Sequence, residues 1–249
     1  MKSQLSKTSE AKSFLVKDEW LGQILGQDVY RLNCNDEFLN HIKKDPKPFT
    51  NLSSQRVFIY TKIPTTQITA AQVLEQNGFF LVDTNVVFKK NVLAQENSQA
   101  TNEMRFATSS DQDQVANLAK EAFLYSRFHL DPAFSKIQAN KIKEEWVKNF
   151  FLKKRGDQMV VAVVNNHVVG FTQLIFGKDK VLTIDLIGTD PQFRRRGIAQ
   201  EMIDFAQNDC SGFDFIRVGT QVANVASVTL YEKMGFRLET SQYVFHYHG

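Results

Sequence analysis

The chain has 249 residues, 43% of them hydrophobic and 23% charged, the balance of a soluble globular protein with length for one large or two ordinary domains. Its net charge of +3 is too small to argue for a nucleic-acid partner. Cys34 and Cys210 stand far apart outside any C-x-x-C, no apolar run approaches a membrane span, and residues 1–10 carry no apolar signal segment, so the expectation is a cytoplasmic protein without a disulfide framework.

Taken in order, residues 1–18 are polar and expected to be loosely ordered. Residues 29–32 read as a short strand, and 43–54, with two prolines, as loop. Aromatic and β-branched residues make 56–63 a strand that Pro64 stops. Ile68, Ala71, Val73 and Leu74 predict a helix closed by Asn77-Gly78. Residues 79–82 and 86–88 are apolar again and read as strand. The polar stretch 91–102 is the expected boundary between domains 1–100 and 101–249.

The second half opens on a strand at 104–107. Ser110-Asp111-Gln112-Asp113 reads as a capping box, and Val115, Leu118, Ala119 and Ala122 then share a helical face. Residues 126–132 connect to a second amphipathic helix, in which Ile142, Trp146 and Phe150 repeat every four residues. Lys153-Lys154-Arg155 is most simply a solvated turn. Residues 159–164 and 167–176 form a hairpin across Asn165-Asn166. Residues 183–189 are a buried strand that Asp190-Pro191 ends. A basic turn, a helix from Ile198, a strand at 213–220, a helix at 227–234 and a strand at 238–247 complete the chain. Hairpins beside a strand–helix–strand unit predict an α/β fold, an α+β mixed sheet with helices on its faces.

An internal repeat supports two related domains. Shifted by 157 residues, 58–88 matches 215–245 without gaps: Glu75, Gly78, Phe79, Val87 and Phe88 fall on Glu232, Gly235, Phe236, Val244 and Phe245. The copies differ where chemistry would sit. Leu74 stands opposite Tyr231, Gln67 opposite Asn224, and the first copy has no arginine–glycine turn.

That turn is the strongest motif. A strand runs into Arg194-Arg195-Arg196-Gly197 and opens a helix at Ile198-Ala199, so free N–H groups and a positive dipole end meet at a bend able to nest an anion. Arg194, Gly197 and Ala199 fit R/Q-x-x-G-x-G/A. This resembles the pyrophosphate-binding motif of the GNAT N-acetyltransferases. A solvated basic turn that caps an ordinary helix is the competing reading. The resemblance implies acetyl-CoA as cosubstrate, no metal, and a cofactor site from Ile187, Gly188, Thr189, Arg194, Arg195, Arg196, Gly197, Ile198 and Ala199. It implies a central strand that splays from its neighbour, with a bulge freeing an N–H for the thioester oxygen.

L-Y-E-K-M-G-F resembles the family's second signature, in which the tyrosine faces the cofactor sulfur. Tyr231 is then the acid that protonates the leaving thiolate, with a core tyrosine as the alternative. Asn224 resembles the family asparagine that contacts the cofactor, with an N-cap as the alternative. Asp185, at a position where other family members place an acidic base, is one candidate base; simple alternation puts it on the face of Ile187 and Thr189. Asp83 is a second candidate, if the N-terminal domain closes over the site. Each is also readable as a surface carboxylate, and a water relay is a third option. Arg127 is a candidate for the acceptor's phosphates. His246 and His248 read as strand residues, since no acid or cysteine stands near them in sequence.

The similarity extends to the dTDP-fucosamine acetyltransferases, through V-G-T-Q-V-A-N, E-A-F-L-Y-S-R-F, K-E-E-W-V-K-N and, in the first half, N-G-F-F-L-V-D. It implies an acceptor amine on a nucleotide-linked 4-amino-4,6-dideoxy sugar, with a half-size N-terminal domain before the catalytic one. The longer D-P-Q-F-R-R turn and the acidic Asp185 depart from that pattern. Partners are acetyl-CoA and the sugar nucleotide, with neither nucleic acid nor membrane, and a homodimer is an open assembly. Another amine acceptor, such as a protein N-terminus or small metabolite, and a non-catalytic acyl-CoA-binding protein are the competing readings.

Overall fold

A computed structural model describes residues 13–44, 49, 56–92 and 102–249. The expectations for residues 1–12, for the loop over 45–48 and 50–54, and for the boundary over 93–101 lie outside the described residues. The chain divides into two compact units, 1–85 with 241–249, and 86–240. The division departs from the expected boundary at 100 in two respects: it falls after Asn85, and the last nine residues return to the first unit. The reason for the return is a ladder, in which Gln242 to His248 pair antiparallel with Pro64 to Phe58.

The first unit holds β1 (Leu15–Lys17), α1 (Glu19–Leu25), β2 (Asp28–Leu32), α2 (Asp36–Lys44), β3 (Val57–Pro64), α3 (Ile68–Gln76), the start of β4 (Phe80–Asn91) and the end of β10 (Arg237–His248). β1 runs antiparallel to β2, and β2 parallel to β3. Phe38, Phe49, Ile59, Leu74, Phe79 and Phe245 fill its core. The two short helices were not expected. α1 has only seven residues, yet its signals are local: Asp18 accepts the Leu21 N–H at 3.0 Å, and Gly26 (φ 65°) closes it left-handed. The two strand pieces expected over 79–88 are one strand, β4.

The second unit holds the rest of β4, β5 (Glu103–Phe106), α4 (Gln112–Ala122), α5 (Arg127–Leu130), α6 (Lys136–Phe151), β6 (Gln158–Val164), β7 (His167–Phe176), β8 (Val181–Thr189), α7 (Ile198–Asp209), β9 (Phe215–Gln221) and α8 (Val225–Lys233). Its strands lie in the order β4-β9-β8-β7-β6-β5. β5 to β8 are an antiparallel meander, and β8 meets β9 in parallel. β6 is buried on both faces. Val160 and Ala162 join Leu182, Ile184, Met202 and Ile203 on the α7 side, whereas Met159 and Val161 join Val115, Ala119, Val147 and Phe171 on the α4–α6 side. This is the mixed sheet between helices that the pattern predicts. No described helix is long and apolar enough to cross a membrane.

The repeat is structural. The offset of 157 residues lays α3 on α8 and β4 on β10, end for end. Each helix closes at a glycine of φ 87° or 83°, Gly78 or Gly235, and the next phenylalanine N–H turns back to Leu74 O or Tyr231 O. One detail is corrected. The capping box is Thr108 with Asp111, one 3₁₀ turn earlier than expected. Asp111 is drawn there by Arg105, whose two terminal nitrogens reach its carboxylate at 2.7 and 2.8 Å.

Candidate active site

β8 organises the site. Its ladder to β9 covers only Val181 to Ile184 against Phe215 to Val218, yet β8 runs on to Thr189 and β9 to Gln221. The two strands stop pairing where β8 still has five residues to run, so this edge of β8 is left open. Its other edge stays bound to β7 as far as Thr189 opposite Gly170. Asp190 N–H donates to Val169 O at 2.8 Å. Antiparallel alternation then turns the N–H groups of Leu186 and Gly188 toward β7, and those of Ile187 and Thr189 toward the open edge. Of the three residues expected to offer an N–H, Gly188 is thereby corrected. It contributes by lacking a side chain, since a Cβ there would stand 2.8 Å from Phe171 Cε1 and 3.0 Å from Ala122 Cβ.

The expected bulge is present, and Asp185 is the extra residue: Gln173 pairs with Leu186 and Leu174 with Ile184. A bulge puts two consecutive residues on one face. Leu186 packs into the α4–α6 core, Ile187 against the α7 core, and Asp185 meets Trp146 of α6. The alternation that placed Asp185 with Ile187 and Thr189 is corrected for that reason.

The turn after β8 is built by local signals. Asp190 Oδ1 accepts the Gln192 N–H at 2.7 Å and caps a single 3₁₀ turn, Pro191–Phe193. Arg195 (φ 60°) and Gly197 (φ 83°) are both left-handed, an arrangement that gathers successive N–H groups into a concave nest. Among the described residues, no hydrogen bond leaves the backbone N–H of Arg195, Arg196 or Gly197. Gly197 begins α7 without a side-chain cap, and its nearest neighbour to an added Cβ is Glu201 Oε1 at 4.0 Å. Unclaimed donors and an uncrowded backbone fit a diphosphate. The arginines divide their work. Arg194 donates through Nη2 to Ala122 O at 3.1 Å and ties the turn to the end of α4. Arg196 lies over the Phe193 ring at 5.0 Å, and Arg195 is exposed. Ile198 has its side chain in the core, so only its backbone faces the turn, and Ala199 is half-buried.

Tyr231, on α8, is 2% exposed and packs between Phe88 and Phe236 at ring distances of 6.0 and 5.7 Å. Burial raises the phenol further above neutrality, and Ser227, one turn earlier, works the other way. The phenol is therefore protonated at neutral pH. Leu74 fills the matching place in the first unit. Asn224 caps α8: Oδ1 accepts the Ser227 N–H at 3.4 Å, and Nδ2 donates to Thr220 Oγ1 at 3.3 Å. The capping alternative is what the geometry displays.

Asp185, the first candidate base, already has partners. Oδ2 accepts from Trp146 Nε1 (3.0 Å), Arg155 Nε (2.7 Å) and Gln173 Nε2 (3.0 Å), and Oδ1 from Arg155 Nη2 (2.6 Å). Four N–H donors, two of them from the Arg155 guanidinium, occupy its lone pairs. Asp185 is a tether for α6 and the following turn. By the same contacts Arg155 is not simply part of a solvated turn. Asp83 is buried on β4 in the first unit, so it is not among the groups the second unit assembles. Arg127 is half-buried on α5, its guanidinium 4.5 Å from the Phe128 ring. His246 and His248 are strand residues and flank the Phe58 ring at 4.7 and 5.0 Å.

Sequence reasoning missed one cluster. Residues 126–132, expected as a connection, contain α5, and there Ser126 Oγ lies 2.6 Å from His129 Nδ1 while His129 Nε2 lies 2.9 Å from Asn140 Oδ1 on α6. The available signal was Ser126 three residues before His129, the spacing of a helix cap and its first turn.

A model described as the acetyltransferase (GNAT) family matches residues 114–236, the span from α4 through the open strand and the nest to Phe236. The spore coat polysaccharide biosynthesis protein SpsD of Bacillus subtilis is 29% identical over 192 residues, 76% of this chain and 66% of that protein. The chain thus spans about two thirds of that relative's length. Three solved structures share the fold. One is a functionally unknown conserved protein from Staphylococcus epidermidis, with a TM-score of 0.59 at 15% identity over 88% of this chain and 83% of that one. A GCN5-related N-acetyltransferase from Sphaerobacter thermophilus has a TM-score of 0.52 at 18% identity, over 78% and 60%. A tandem GNAT protein from the clavulanic acid biosynthesis pathway reaches 0.55 at 8% identity, over 88% and 75%. With an open central strand, a left-handed nest and this match, residues 114–236 of the chain carry an acetyltransferase domain of the GNAT family.

Proposed function

We propose that the chain acetylates the amino group of a nucleotide-linked amino-deoxy sugar of the dTDP-4-amino-4,6-dideoxyhexose type. GNAT acetyltransferases use acetyl-CoA, which supplies the acyl group as a thioester. The observation that carries the donor half is the end of β8–β9 pairing immediately before the nest. The nest from Arg195 to Ala199 holds the diphosphate on backbone N–H groups, with Arg194 fixing the turn. The N–H groups of Ile187 and Thr189 on the open edge stabilise the negative oxygen of the tetrahedral state. The protonated phenol of Tyr231 supplies the proton for the departing thiolate. Asn224 supports this site by capping α8, and Arg127 is kept for the acceptor's phosphates.

The acceptor half rests on similarity. The relative SpsD is described as a spore coat polysaccharide biosynthesis protein, and a sugar acceptor agrees with the likeness to dTDP-fucosamine acetyltransferases. Such substrates place the enzyme in the cytoplasm, where the free thiols of Cys34 and Cys210 are ordinary. The test is thiol release from acetyl-CoA with a panel of nucleotide-linked amino sugars beside simple amines and peptides. Selective turnover of the sugar nucleotides supports the reading. Preference for peptides or small amines replaces the acceptor and leaves the donor half standing.

A further inference from the structure

Acetyl transfer leaves a proton on the attacking nitrogen, and with Asp185 occupied by four donors a receiver must be found elsewhere. The helix side of β8 presents one cluster that suits. α4 ends on the strand at Gly188, where Ala122 Cβ would meet an added Cβ at 3.0 Å. α6 is fixed to the same strand at Asp185 by the Trp146 indole N–H. Between these two anchors lies α5 with Ser126 and His129. Asn140, which holds His129, precedes Trp146 by six residues, roughly 9 Å along a helix. The cluster therefore lies on the segment of chain between two points fixed to β8, at Gly188 and at Asp185.

We propose that Ser126, His129 and Asn140 form the relay that accepts the acceptor amine's proton, a role that rests on the acetyl-transfer reading above. Nitrogen attacks the thioester carbon and a C–N bond forms. The nitrogen's proton passes to Ser126 Oγ while the Ser126 hydroxyl proton moves to His129 Nδ1. Asn140 Oδ1 accepts from Nε2–H, which fixes the tautomer with Nδ1 as acceptor and supports the imidazolium once formed. The C–S bond then breaks, the thiolate takes the Tyr231 proton, and both groups re-equilibrate with solvent before the next turnover.

The surroundings keep the relay ready. Burial first, then Lys143 and Lys136 of α6, push His129 below its ordinary range, while the bond to Asn140 works the other way. Arg127 is the further charge on α5 itself. Lys143 is 7% exposed, its ammonium 4.7 Å from the Phe123 and Trp146 rings. The same positive field that keeps the imidazole neutral disfavours an incoming ammonium, so the amine arrives able to attack.

Two measurements test this on the full chain. The first follows the histidine ring signals by NMR against pH, without any acceptor. The wild type shows His129 neutral with Nδ1 unprotonated and a midpoint below 6.5, and Asn140→Asp raises that midpoint by about one unit through the added carboxylate. The second is the pH profile of kcat/KM with an amine the wild type turns over. His129→Gln lowers kcat roughly 100-fold at pH 7 and removes the acidic limb with the KM for acetyl-CoA unchanged, whereas Asn140→Asp moves that limb to higher pH. A protonated Nδ1 in the free wild type, or an unshifted His129 midpoint in Asn140→Asp, overturns the relay. So does a His129→Gln enzyme within threefold of wild type with its limb intact. A wild type that turns over no amine in the panel fails the function reading instead, and the NMR result still decides the tautomer and poise on which the relay depends.

Discussion

Asp185→Asn separates a tether from a base. The native carboxylate offers about four lone-pair sites, and Trp146, Gln173 and both donors of Arg155 claim them. An asparagine keeps one acceptor oxygen and turns an NH2 toward the remaining donors, so at least one N–H now faces another. Breaking a buried ion pair costs about 3–5 kcal/mol. The Asp185 side chain is 9% exposed but that of Arg155 is 43% exposed, so solvent screening puts the expected loss near the lower end, about 3 kcal/mol. For a chain of this length that corresponds to a fall in Tm of roughly 6–12 °C. The assay is thermal and urea unfolding of both proteins, with turnover measured well below the lower melt. A tether predicts a large loss of stability, and turnover that falls without change in the shape of the pH profile. Unchanged stability together with a collapse of kcat and of its acidic limb would refute the reasoning and restore Asp185 as the base.

Asp111 gives a pH signature away from the site. The Arg105 guanidinium first, with the Thr108 N–H and hydroxyl, holds it down at about 2. A depressed carboxyl stabilises the fold fully above its unfolded value near 3.9, and that contribution disappears as pH falls toward 2. Urea unfolding should therefore find a gap between wild type and Asp111→Asn on the order of 2–3 kcal/mol at pH 6 that narrows steadily between pH 4 and 2; a constant gap contradicts the pairing. Gly188→Val drives carbon into Phe171 and Ala122 and should lower stability by about 1–3 kcal/mol, with an unchanged melt as the contrary result. Tyr231→Phe should lower turnover far more than acetyl-CoA affinity, and equal turnover removes Tyr231 as the acid. Arg194→Ala, which frees the turn from Ala122 O, should weaken acetyl-CoA binding by roughly tenfold in calorimetry, the loss of one charged hydrogen bond; unaltered affinity shows that the turn holds its shape without it.

Local chemistry was legible wherever neighbours in sequence decide it. The hairpin at Asn165-Asn166, the helix stops at Gly78 and Gly235, the strand end at Asp190-Pro191 and the basic turn into Ile198 all formed as the residues predict. Proline, glycine and side-chain caps act within a few residues, and a 157-residue repeat needs only comparison of the chain with itself. The short α1, α2 and α5 were not legible, because a helix of four to nine residues is too brief for its apolar period to register and depends on packing. Asp185 illustrates the limit best. Its residue type and strand position suggested a base, but a carboxylate's role depends on who donates to it. Arg155, Trp146 and Gln173 come from three other elements, and the bulge that turns Asp185 toward them is a property of the β7–β8 register.

By itself the order of residues determined the strand, the nest-forming turn and the family likeness, since each is written in contiguous chain. Which N–H groups face the opened edge, which arginine ties the turn and which carboxylate is already occupied were decided only when distant segments packed. Hydrogen-bond partners and burial set those roles, and neither is a property of a residue alone.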